Sequence, residues 1–385
     1  MYIQRHIESS VVEAIKHFPV TVVTGPRQCG KSTLAKHLLE KNPDSIYLDL
    51  ERPSDLRKLD DAERFLTSWK EKLICIDEVQ RCPELFPLLR SLVDEWNRPG
   101  CFLILGSASR DWLKQSSESL AGRITYKRLT PFLWEELDGS HAIENYFSAG
   151  AFPCSLLAEY EDESFEWREN FISTFLERDL FQWKGFASPT MSRLWQLLAH
   201  LNGETVNYSA IASSLGITPN TVKSYLDLLA GTYMIEIVPP YLSTLGKRLV
   251  KTPKAYIADS GITAALLGLQ SFEEVAGHPV FASVWEQIVL TNLKGLYPEA
   301  ELFYYRTANG AETDIVMKLR NKVFAIECEV SDSPVLSKGN YNAYEDIDPL
   351  HTFVVTLSPD DSWEMNPGID VVSLQELKSQ IDAYQ

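Results

Sequence analysis

Short runs of apolar and β-branched residues recur along the first part of the chain and predict buried strands. Four of these runs occupy residues 19–24, 45–50, 72–76 and 101–105, and a fifth covers residues 124–129. Continuous apolar runs of this length are typical of parallel strands that are covered on both faces. The first two runs are separated by a segment long enough for a helix. The pattern predicts an α/β fold with a parallel sheet over residues 1–140.

The middle of the chain has a helical pattern. Residues 159–183 are rich in acidic and aromatic side chains, and residues 194–201 predict a further helix. Residues 207–217 predict a helix that ends in a glycine turn, and residues 218–229 open with a Thr-Pro pair that commonly starts a helix. A strand is predicted over residues 234–238. Two helices, a turn and a strand in this order are typical of a winged helix-turn-helix.

The last section mixes helices and strands without an internal repeat. Its predicted elements are helices over residues 282–296 and 374–383 and strands over residues 302–305, 313–319, 323–328 and 353–357. This mixture indicates a further domain of α/β type.

Composition restricts the class of protein. The chain has 385 residues, which predicts two or three domains, and its 45% hydrophobic and 23% charged residues are typical of globular proteins. No apolar run is long enough to span a bilayer, and the first residues lack the apolar core of a secretion signal. We therefore expect no membrane contact and a cytoplasmic location. The six cysteines form no C-x-x-C pair and are expected to be reduced packing residues.

The charge balance limits contact with nucleic acid. A formal net charge of −17 excludes binding of DNA or RNA through the overall field of the protein. A local basic stretch follows the helix-turn-helix at Lys247, Arg248, Lys251 and Lys254, and Lys223 lies in its second helix. These cations either contact DNA phosphates or solvate the edge of the wing.

Residues 25–33 read GPRQCGKST, which is the spacing of a phosphate-binding P-loop. The glycines at each end of this loop allow a tight backbone path that turns N–H groups toward phosphates, and the following helix adds the positive end of its dipole. Lys31 is expected to contact the β- and γ-phosphates, and the Ser32 hydroxyl is expected to bind Mg²⁺. The predicted nucleotide contacts are Gly25, Pro26, Arg27, Gln28, Cys29, Gly30, Lys31, Ser32 and Thr33.

A pair of carboxylates follows the third apolar run. Asp77 and Glu78 stand at the carboxyl end of a predicted parallel strand, where doubly wound sheets bind their ligands. Asp77 is expected to hold Mg²⁺, and Glu78 is placed to orient and polarise the attacking water. The chain has no NKxD-type guanine reader downstream, which favours adenine. The sequence therefore predicts ATP binding and hydrolysis.

Three further polar residues are candidates for sensing phosphate. Ser107, with Ser109 as the alternative, follows the fourth strand, where a polar side chain often senses the γ-phosphate. Arg123 is either an arginine finger acting on the nucleotide of a neighbouring subunit, which requires a homo-oligomer, or a structural arginine at a strand start. Arg178 either senses phosphate from the helical segment or is a surface charge beside Asp179.

Carboxylates also gather in the last section. Asp314 begins one predicted strand, and Glu327 and Glu329 lie on one face of the next because alternate residues point the same way. Glu286, on the preceding apolar helix, is a candidate to join them. Such a group either holds a divalent cation that activates water against phosphodiesters or forms a solvated acidic strand face.

These motifs resemble those of prokaryotic ATP-binding proteins that join an AAA-type ATPase domain to a C-terminal domain of unknown function. The resemblance covers nearly the whole chain and rests on GPRQCGKST, ICIDEVQ, LGSAS, SLAGR, the GAFP turn, LERDL and YYRTANGAETDIV followed by IECEV. It implies an AAA-like P-loop core, a helical lid, a winged helix and a restriction-endonuclease-like tail. The corresponding domains are predicted at residues 1–140, 141–190, 191–245 and 246–385.

The tail departs from the nuclease pattern that the resemblance implies. An acid-x-Lys signature is expected where this chain has Glu327, Cys328 and Glu329. The lysine normally positions the attacking water, and a glutamate there reverses the charge. We therefore interpret the tail as a degenerate nuclease fold that retains a second metal site at Asp314 and Glu327, unless Lys322 or Lys338 takes the lysine's place in space.

The leading hypothesis is an ATPase whose nucleotide state drives its winged-helix and nuclease-like domains. The alternatives are an ATP-gated, metal-dependent DNA nuclease and a nucleotide-controlled signalling switch that binds a protein partner.

Overall fold

A computed structural model describes residues 2–107, 120–137, 139, 141–179, 187–242, 249–357 and 362–384. The chain forms two compact units. The first unit comprises Met1–Phe132 together with Gly231–Tyr233, and the second comprises Leu133–Ala230 and Met234–Gln385. Each unit contains its own sheet and its own hydrophobic core.

The first unit is built on a five-stranded sheet. Its strands are β1 (Val20–Gly25), β2 (Ser45–Asp49), β3 (Leu73–Asp77), β4 (Phe102–Ser107) and β5 (Ile124–Arg128). The strands lie in the order β2-β3-β4-β1-β5, and every neighbouring pair is parallel. The carboxyl ends of all five strands therefore meet at one edge, and the predicted parallel α/β sheet is confirmed.

Helices pack against this sheet. They are α1 (Glu8–His17), α2 (Lys31–Glu40), α3 (Pro53–Leu56), α4 (Ala62–Thr67) and α5 (Leu85–Trp96), with short 3₁₀ turns at Arg57–Leu59 and Val79–Arg81. In α5 the buried residues recur at helical spacing, so one apolar face packs toward the strands. Phe86 and Leu89 of this face share a fully buried core with Val22, Ile74 and Ile104 of the sheet. Burial of each such side chain contributes about 1.5–3 kcal/mol.

The second unit contains most of the helices of the described residues. They are α6 (Ile143–Ser148), α7 (Pro153–Leu156), α8 (Glu161–Thr174), α9 (Ser188–His200), α10 (Tyr208–Leu215), α11 (Pro219–Gly231), α12 (Ser260–Leu267), α13 (Phe272–Ala276), α14 (Phe281–Leu296), α15 (Lys338–Ile347) and α16 (Leu374–Asp382). A π-helical turn, Phe175–Asp179, continues α8, and Trp134–Leu137 is a 3₁₀ turn. None of the helices in the described part of the chain is long and apolar enough to cross a membrane.

Two sheets belong to the second unit. Their strands are β6 (Ile235–Val238), β7 (Lys254–Ile257), β8 (Glu301–Arg306), β9 (Glu312–Leu319), β10 (Lys322–Glu329), β11 (His351–Thr356), β12 (Trp363–Asn366) and β13 (Ile369–Ser373). The larger sheet has the order β12-β13-β11-β10-β9-β8 and is mixed, since β8, β9 and β10 form an antiparallel meander while β11 is parallel to both of its neighbours. Strands β6 and β7 form a separate antiparallel pair.

The elements expected for a winged helix-turn-helix are present. Helix α10 ends at Leu215 and is followed by a capping glycine, Gly216, with φ of 68°. The Thr218 hydroxyl accepts the backbone N–H of Thr221 at 3.1 Å and so caps α11. The antiparallel pair of β6 and β7 follows. Whether these elements act as a winged helix, and the domain limits at residues 140, 190 and 245, stay predictions.

The GAFP turn is held by a buried carboxylate of the same unit. Asp259 accepts the backbone N–H groups of Ala151 at 2.8 Å and Ile262 at 3.0 Å, so it joins the turn to the start of α12. Gly150 has φ of 74°, and a Cβ atom there would lie 2.2 Å from the Asp259 Oδ1 atom and 2.6 Å from the Gly261 nitrogen. Glycine is required at this position because of both the backbone angle and the space.

We expect Gly150→Ala to lower the stability of the second unit by more than the backbone strain alone. Gly268→Ala is the matched control, since Gly268 has φ of 73° and no atom within 4 Å of a Cβ there. The control should cost about 1–2 kcal/mol through the left-handed backbone. Gly150→Ala should cost a further 1–3 kcal/mol through steric overlap, measured by urea unfolding. Equal losses in the two variants would contradict the close contact with Asp259.

Candidate functional site

The P-loop lies at the carboxyl edge of the first unit's sheet, between β1 and α2. A Cβ atom on Gly25 would lie 2.1 Å from the Leu129 carbonyl oxygen, so only glycine lets the loop leave the strand at this point. Helix α2 begins at Lys31, whose side chain is buried. The Lys31 Nζ atom donates to the carbonyl oxygens of Gly25 at 3.1 Å and Pro26 at 2.7 Å. The loop therefore holds the ammonium charge against its own backbone at the strand end.

Arg5, which no sequence motif singled out, holds the P-loop through hydrogen bonds of its side chain. Arg5 is 4% exposed, and its guanidinium donates to the Cys29 carbonyl oxygen at 2.9 Å. The same group donates to the carbonyl oxygens of Thr130 at 2.7 Å and Pro131 at 3.0 Å. The planar group thus joins the P-loop to the segment after β5. No local sequence pattern marks Arg5, because its partners are far away along the chain.

Ser32 and Asp77 meet as the sequence predicts for a magnesium site. The Ser32 hydroxyl donates to the Asp77 Oδ2 atom at 2.6 Å, and the backbone N–H of Glu78 donates to Oδ1 at 2.9 Å. Asp77 is only 3% exposed, so these donors stabilise a buried charge. Mg²⁺ is bound in proteins through one or two carboxylates together with substrate phosphates and water. A hydroxyl and a carboxylate beside a P-loop fit that ion.

Tyr47 is a further member of this group that the sequence reasoning missed. Its hydroxyl donates to the same Oδ2 atom of Asp77. Burial and the hydrogen bond to Asp77 raise the pKa of Tyr47 well above its usual range, so the phenol remains a donor. The sequence gives no signal for it, because Tyr47 reaches Asp77 through the pairing of Asp49 with Asp77, which only the folded sheet reveals.

Glu78 has an unusual backbone conformation and a side chain that is hydrogen-bonded to a neighbouring residue. Its φ of 56° is unusual for a residue other than glycine, and such angles occur often at active sites. The Gln80 side-chain amide donates to its Oε2 atom. Burial and the neighbouring charge of Asp77 raise the pKa of Glu78. A carboxylate whose pKa moves toward neutrality is a better acceptor for a proton of water.

The other phosphate-sensing candidates have different surroundings. Ser107 is the last residue of β4 and is paired with Gly25, but its side chain, like that of Arg178, lies outside the described residues, as does Ser109. The Arg123 guanidinium contacts Asp94 of the same chain through two hydrogen bonds of 2.5 and 3.1 Å. This contact agrees with the structural alternative for Arg123. Its role as a finger stays a prediction.

The second unit brings together Glu286, Asp314 and Glu327, as the sequence suggested. The charge of Glu286 helps to raise the pKa values of Asp314 and Glu327, and Lys254 and Tyr256 of β7 complete what we call the buried acidic cluster. The Lys254 Nζ atom lies 2.7 Å from the Glu286 Oε1 atom, with both side chains 11% exposed. The Tyr256 hydroxyl donates to the same oxygen. Burial opposes the charge of Lys254, but Glu286 raises its pKa above the usual value.

Of the two carboxylates of the predicted second metal site, Glu327 is buried and Asp314 is half-buried. The Asp314 Oδ2 atom accepts the backbone N–H of Cys328 at 3.0 Å, and Glu327 accepts the side-chain amide of Asn340. Burial, with the nearby charge of Glu286, raises the pKa of Asp314 to about 7. Burial and Asp314 raise the pKa of Glu327 well above its usual range. Within the described ranges, no group of three or more His, Cys, Asp or Glu residues is arranged to hold a metal ion.

The lysine expected for a nuclease is supplied by neither of the residues suggested from sequence. Lys322 donates to the Tyr384 carbonyl oxygen, and Lys338 is exposed at the first turn of α15. The cation beside Asp314 is Lys254, which the sequence analysis placed in a surface patch with Lys247, Arg248 and Lys251. Lys254 is instead buried against Glu286, and Lys247 and Arg248 lie outside the described residues. Lys223 is exposed on α11.

We expect Lys254→Met to destabilise the second unit by about 3–5 kcal/mol, because it leaves Glu286 buried without its cation. The double variant Lys254→Met/Glu286→Gln should recover most of that loss, since the remaining amide still accepts from Tyr256. Lys318→Met is the control, because Lys318 and Glu301 form an exposed pair at 3.1 Å and its loss should cost less than about 1 kcal/mol. Urea unfolding measures all three. A double variant no more stable than Lys254→Met would contradict the pairing.

The pKa of Asp314 predicts how stability changes with pH. A folded-state pKa of about 7, against about 3.9 when unfolded, means that the folded chain binds more protons between these values. Stability should therefore fall as pH rises from about 4 to 7. Asp314→Asn should flatten this slope and make the chain more stable than wild type at pH 8, by a few kcal/mol, while exposed Asp332→Asn should not. Thermal unfolding midpoints at several pH values measure this, and a wild-type slope in Asp314→Asn would contradict the assignment.

Comparison with known proteins finds three family models along the chain. A family model described as an AAA domain matches residues 17–138. Two models described as domains of unknown function match residues 140–273 (DUF8612) and residues 281–377 (DUF4143). Among solved structures, the Walker-type ATPase of Pyrococcus abyssi has a TM-score of 0.51 and 18% identity, covering 69% of this chain and 96% of that one. At this identity the likeness shows a shared fold.

Two curated relatives are close enough in sequence to show the family. They are uncharacterized proteins of Mycobacterium bovis and Mycobacterium tuberculosis. Each is 37% identical over 346 residues, which covers 89% of this chain and 78% of the relative. With the P-loop, the Asp77–Glu78 pair and the parallel sheet, these matches identify the chain as a member of the family of AAA-type ATP-binding proteins that carry a C-terminal domain of unknown function (DUF4143).

Proposed function

We propose that the first unit hydrolyses ATP with Mg²⁺ at the P-loop and that its nucleotide state drives the second unit. The observation that carries the proposal is the meeting of Ser32 and Asp77 at 2.6 Å, with Glu78 directly after Asp77 at the carboxyl edge of the sheet. Phosphoryl transfer to water requires mainly positioning and neutralisation of charge. This edge combines a cation, a hydroxyl and two carboxylates for that purpose.

The P-loop residues would bind the triphosphate. Backbone N–H groups of residues 25–33 and the first turn of α2 attract negative charge. The Lys31 ammonium, now shared between two backbone carbonyl oxygens, is within the loop that would surround the β- and γ-phosphates. Mg²⁺ bound beside Ser32 and Asp77 would offset the negative charge of the phosphate oxygens.

Glu78 would act on the attacking water. Its carboxylate oxygen would accept a hydrogen bond from the water and orient the water's lone pair toward the γ-phosphorus. It would take up the water's proton as the new P–O bond forms and the bond from the γ-phosphorus to the bridging oxygen of ADP breaks, with ADP as the leaving group. The raised pKa of Glu78 favours this proton transfer. Gln80, which donates to the Glu78 Oε2 atom, would fix the side chain in the required direction.

A short segment supports the coupling of nucleotide state to the rest of the chain. Gly231–Tyr233 belong to the first unit, although the residues on both sides of them belong to the second. The Tyr233 hydroxyl lies 3.2 Å from the Thr24 hydroxyl oxygen, and Thr24 immediately precedes the P-loop. The Arg128 guanidinium covers the Tyr233 ring at 4.5 Å. A shift of the P-loop strand on nucleotide binding would therefore reach the segment between α11 and β6.

ATP hydrolysis should be abolished by Lys31→Ala and slowed by Glu78→Gln. The first change removes the cation that neutralises the phosphates, and the second removes the proton acceptor, which typically lowers the rate 10²- to 10⁴-fold. Phosphate release measures both rates, and nucleotide binding should persist in Glu78→Gln because its amide keeps the size of the side chain. Glu84→Gln, a change at a surface carboxylate, is the control and should keep the wild-type rate. Unchanged hydrolysis in both Lys31→Ala and Glu78→Gln would contradict the proposal.

A further inference from the structure

Tyr47 lies at the magnesium-binding end of the first unit without a place in the P-loop or in the Asp77–Glu78 motif. Its hydroxyl and that of Ser32 both donate to one oxygen of Asp77, Oδ2. Ser32 comes from the P-loop helix and Tyr47 from the neighbouring strand β2. The carboxylate is thus held from two separate elements of the fold.

The hydroxyls of Ser32 and Tyr47 differ in what bound Mg²⁺ would do to their hydrogen bonds with Asp77. If Ser32 binds Mg²⁺ as proposed, its oxygen lone pair is used by the ion, and its hydroxyl group must turn to suit that bond. The Tyr47 hydroxyl is not part of the loop and stands on a strand that is hydrogen-bonded to β3, with Asp49 opposite Asp77. It can therefore keep its bond to Asp77 whether or not the ion is bound.

Asp77 needs such a partner because it is buried. At 3% exposure, a carboxylate oxygen that loses a donor keeps the cost of desolvation without compensation. The Oδ1 atom has the Glu78 N–H, so the orientation of the carboxylate depends on what binds Oδ2. The Lys36 ammonium, 5.1 Å from the centre of the Tyr47 ring, adds a cation–π contact that holds the phenol in place.

We propose that Tyr47 is a positioning residue for magnesium, which orients the Asp77 carboxylate through its hydroxyl. This inference rests on the proposed function, since it assigns a role at the same site. Partners that orient a metal-binding carboxylate commonly change metal affinity 10- to 100-fold when they are removed. Tyr47→Phe removes only the hydroxyl oxygen and keeps a ring beneath Lys36.

The test measures binding of ADP, which needs no hydrolysis, by calorimetry in EDTA and across a titration of Mg²⁺. In EDTA, we expect Tyr47→Phe to bind ADP with the affinity of the wild type. When Mg²⁺ is added, the affinity for ADP should rise, and Tyr47→Phe should need about tenfold more Mg²⁺ than the wild type to reach half of that rise. Tyr160→Phe is the control, because Tyr160 is 61% exposed in the second unit and should leave both values unchanged. Thermal melting of each variant confirms that it is folded.

Two results would overturn the role of Tyr47 alone. One is an unchanged magnesium requirement in Tyr47→Phe, and the other is an equal loss of ADP affinity with and without Mg²⁺, which would mean that the phenol supports the site only structurally. A different result separates the proposed function from this inference. If the wild-type chain itself binds ADP with no gain from Mg²⁺, the magnesium-dependent ATPase proposal fails, and the role of Tyr47 fails with it.

Discussion

The buried carboxylate of Asp77 is the constraint on which the first unit's site depends. A charge that is 3% exposed at the end of a strand needs donors from several directions. The parallel sheet supplies them, because β2 and the P-loop helix both reach the carboxyl end of β3. The order of strands, the turn at Gly25 and the clamp by Arg5 then fix where the loop and the carboxylate meet.

In the second unit, acidic side chains are compensated by different groups from those around Asp77. In the buried acidic cluster, Lys254 neutralises Glu286, while burial favours the protonated forms of Asp314 and Glu327. In the first unit, hydroxyl and backbone N–H donors surround an acid at the carboxyl edge of the sheet. In the second, a cation and retained protons balance the acids. The first arrangement suits a metal ion and phosphate, whereas the second compensates its acids with groups of the same unit.

Local pattern predicted many of the strands and helices but missed others, such as β12, β13 and α15, and long-range contacts were predictable only where a motif implied them. The third strand was expected at residues 72–76 and is found at Leu73–Asp77, and the helix expected at residues 282–296 is Phe281–Leu296. These succeed because periodicity and the P-loop spacing are properties of neighbouring residues. Arg5, Tyr47 and the pairing of Lys254 were missed because their partners lie 24 to 126, 30 and 32 residues away. Only the folded sheet brings such side chains together.

The most direct test of the central claim is a crystal structure of the Glu78→Gln chain with ATP and Mg²⁺. The account predicts that the triphosphate lies along the backbone N–H groups of residues 25–33, with the Lys31 Nζ atom at the β- and γ-phosphates. It also predicts the metal beside the Ser32 hydroxyl and the Asp77 carboxylate. A triphosphate bound away from the P-loop, or a metal that contacts neither Ser32 nor Asp77, would contradict it.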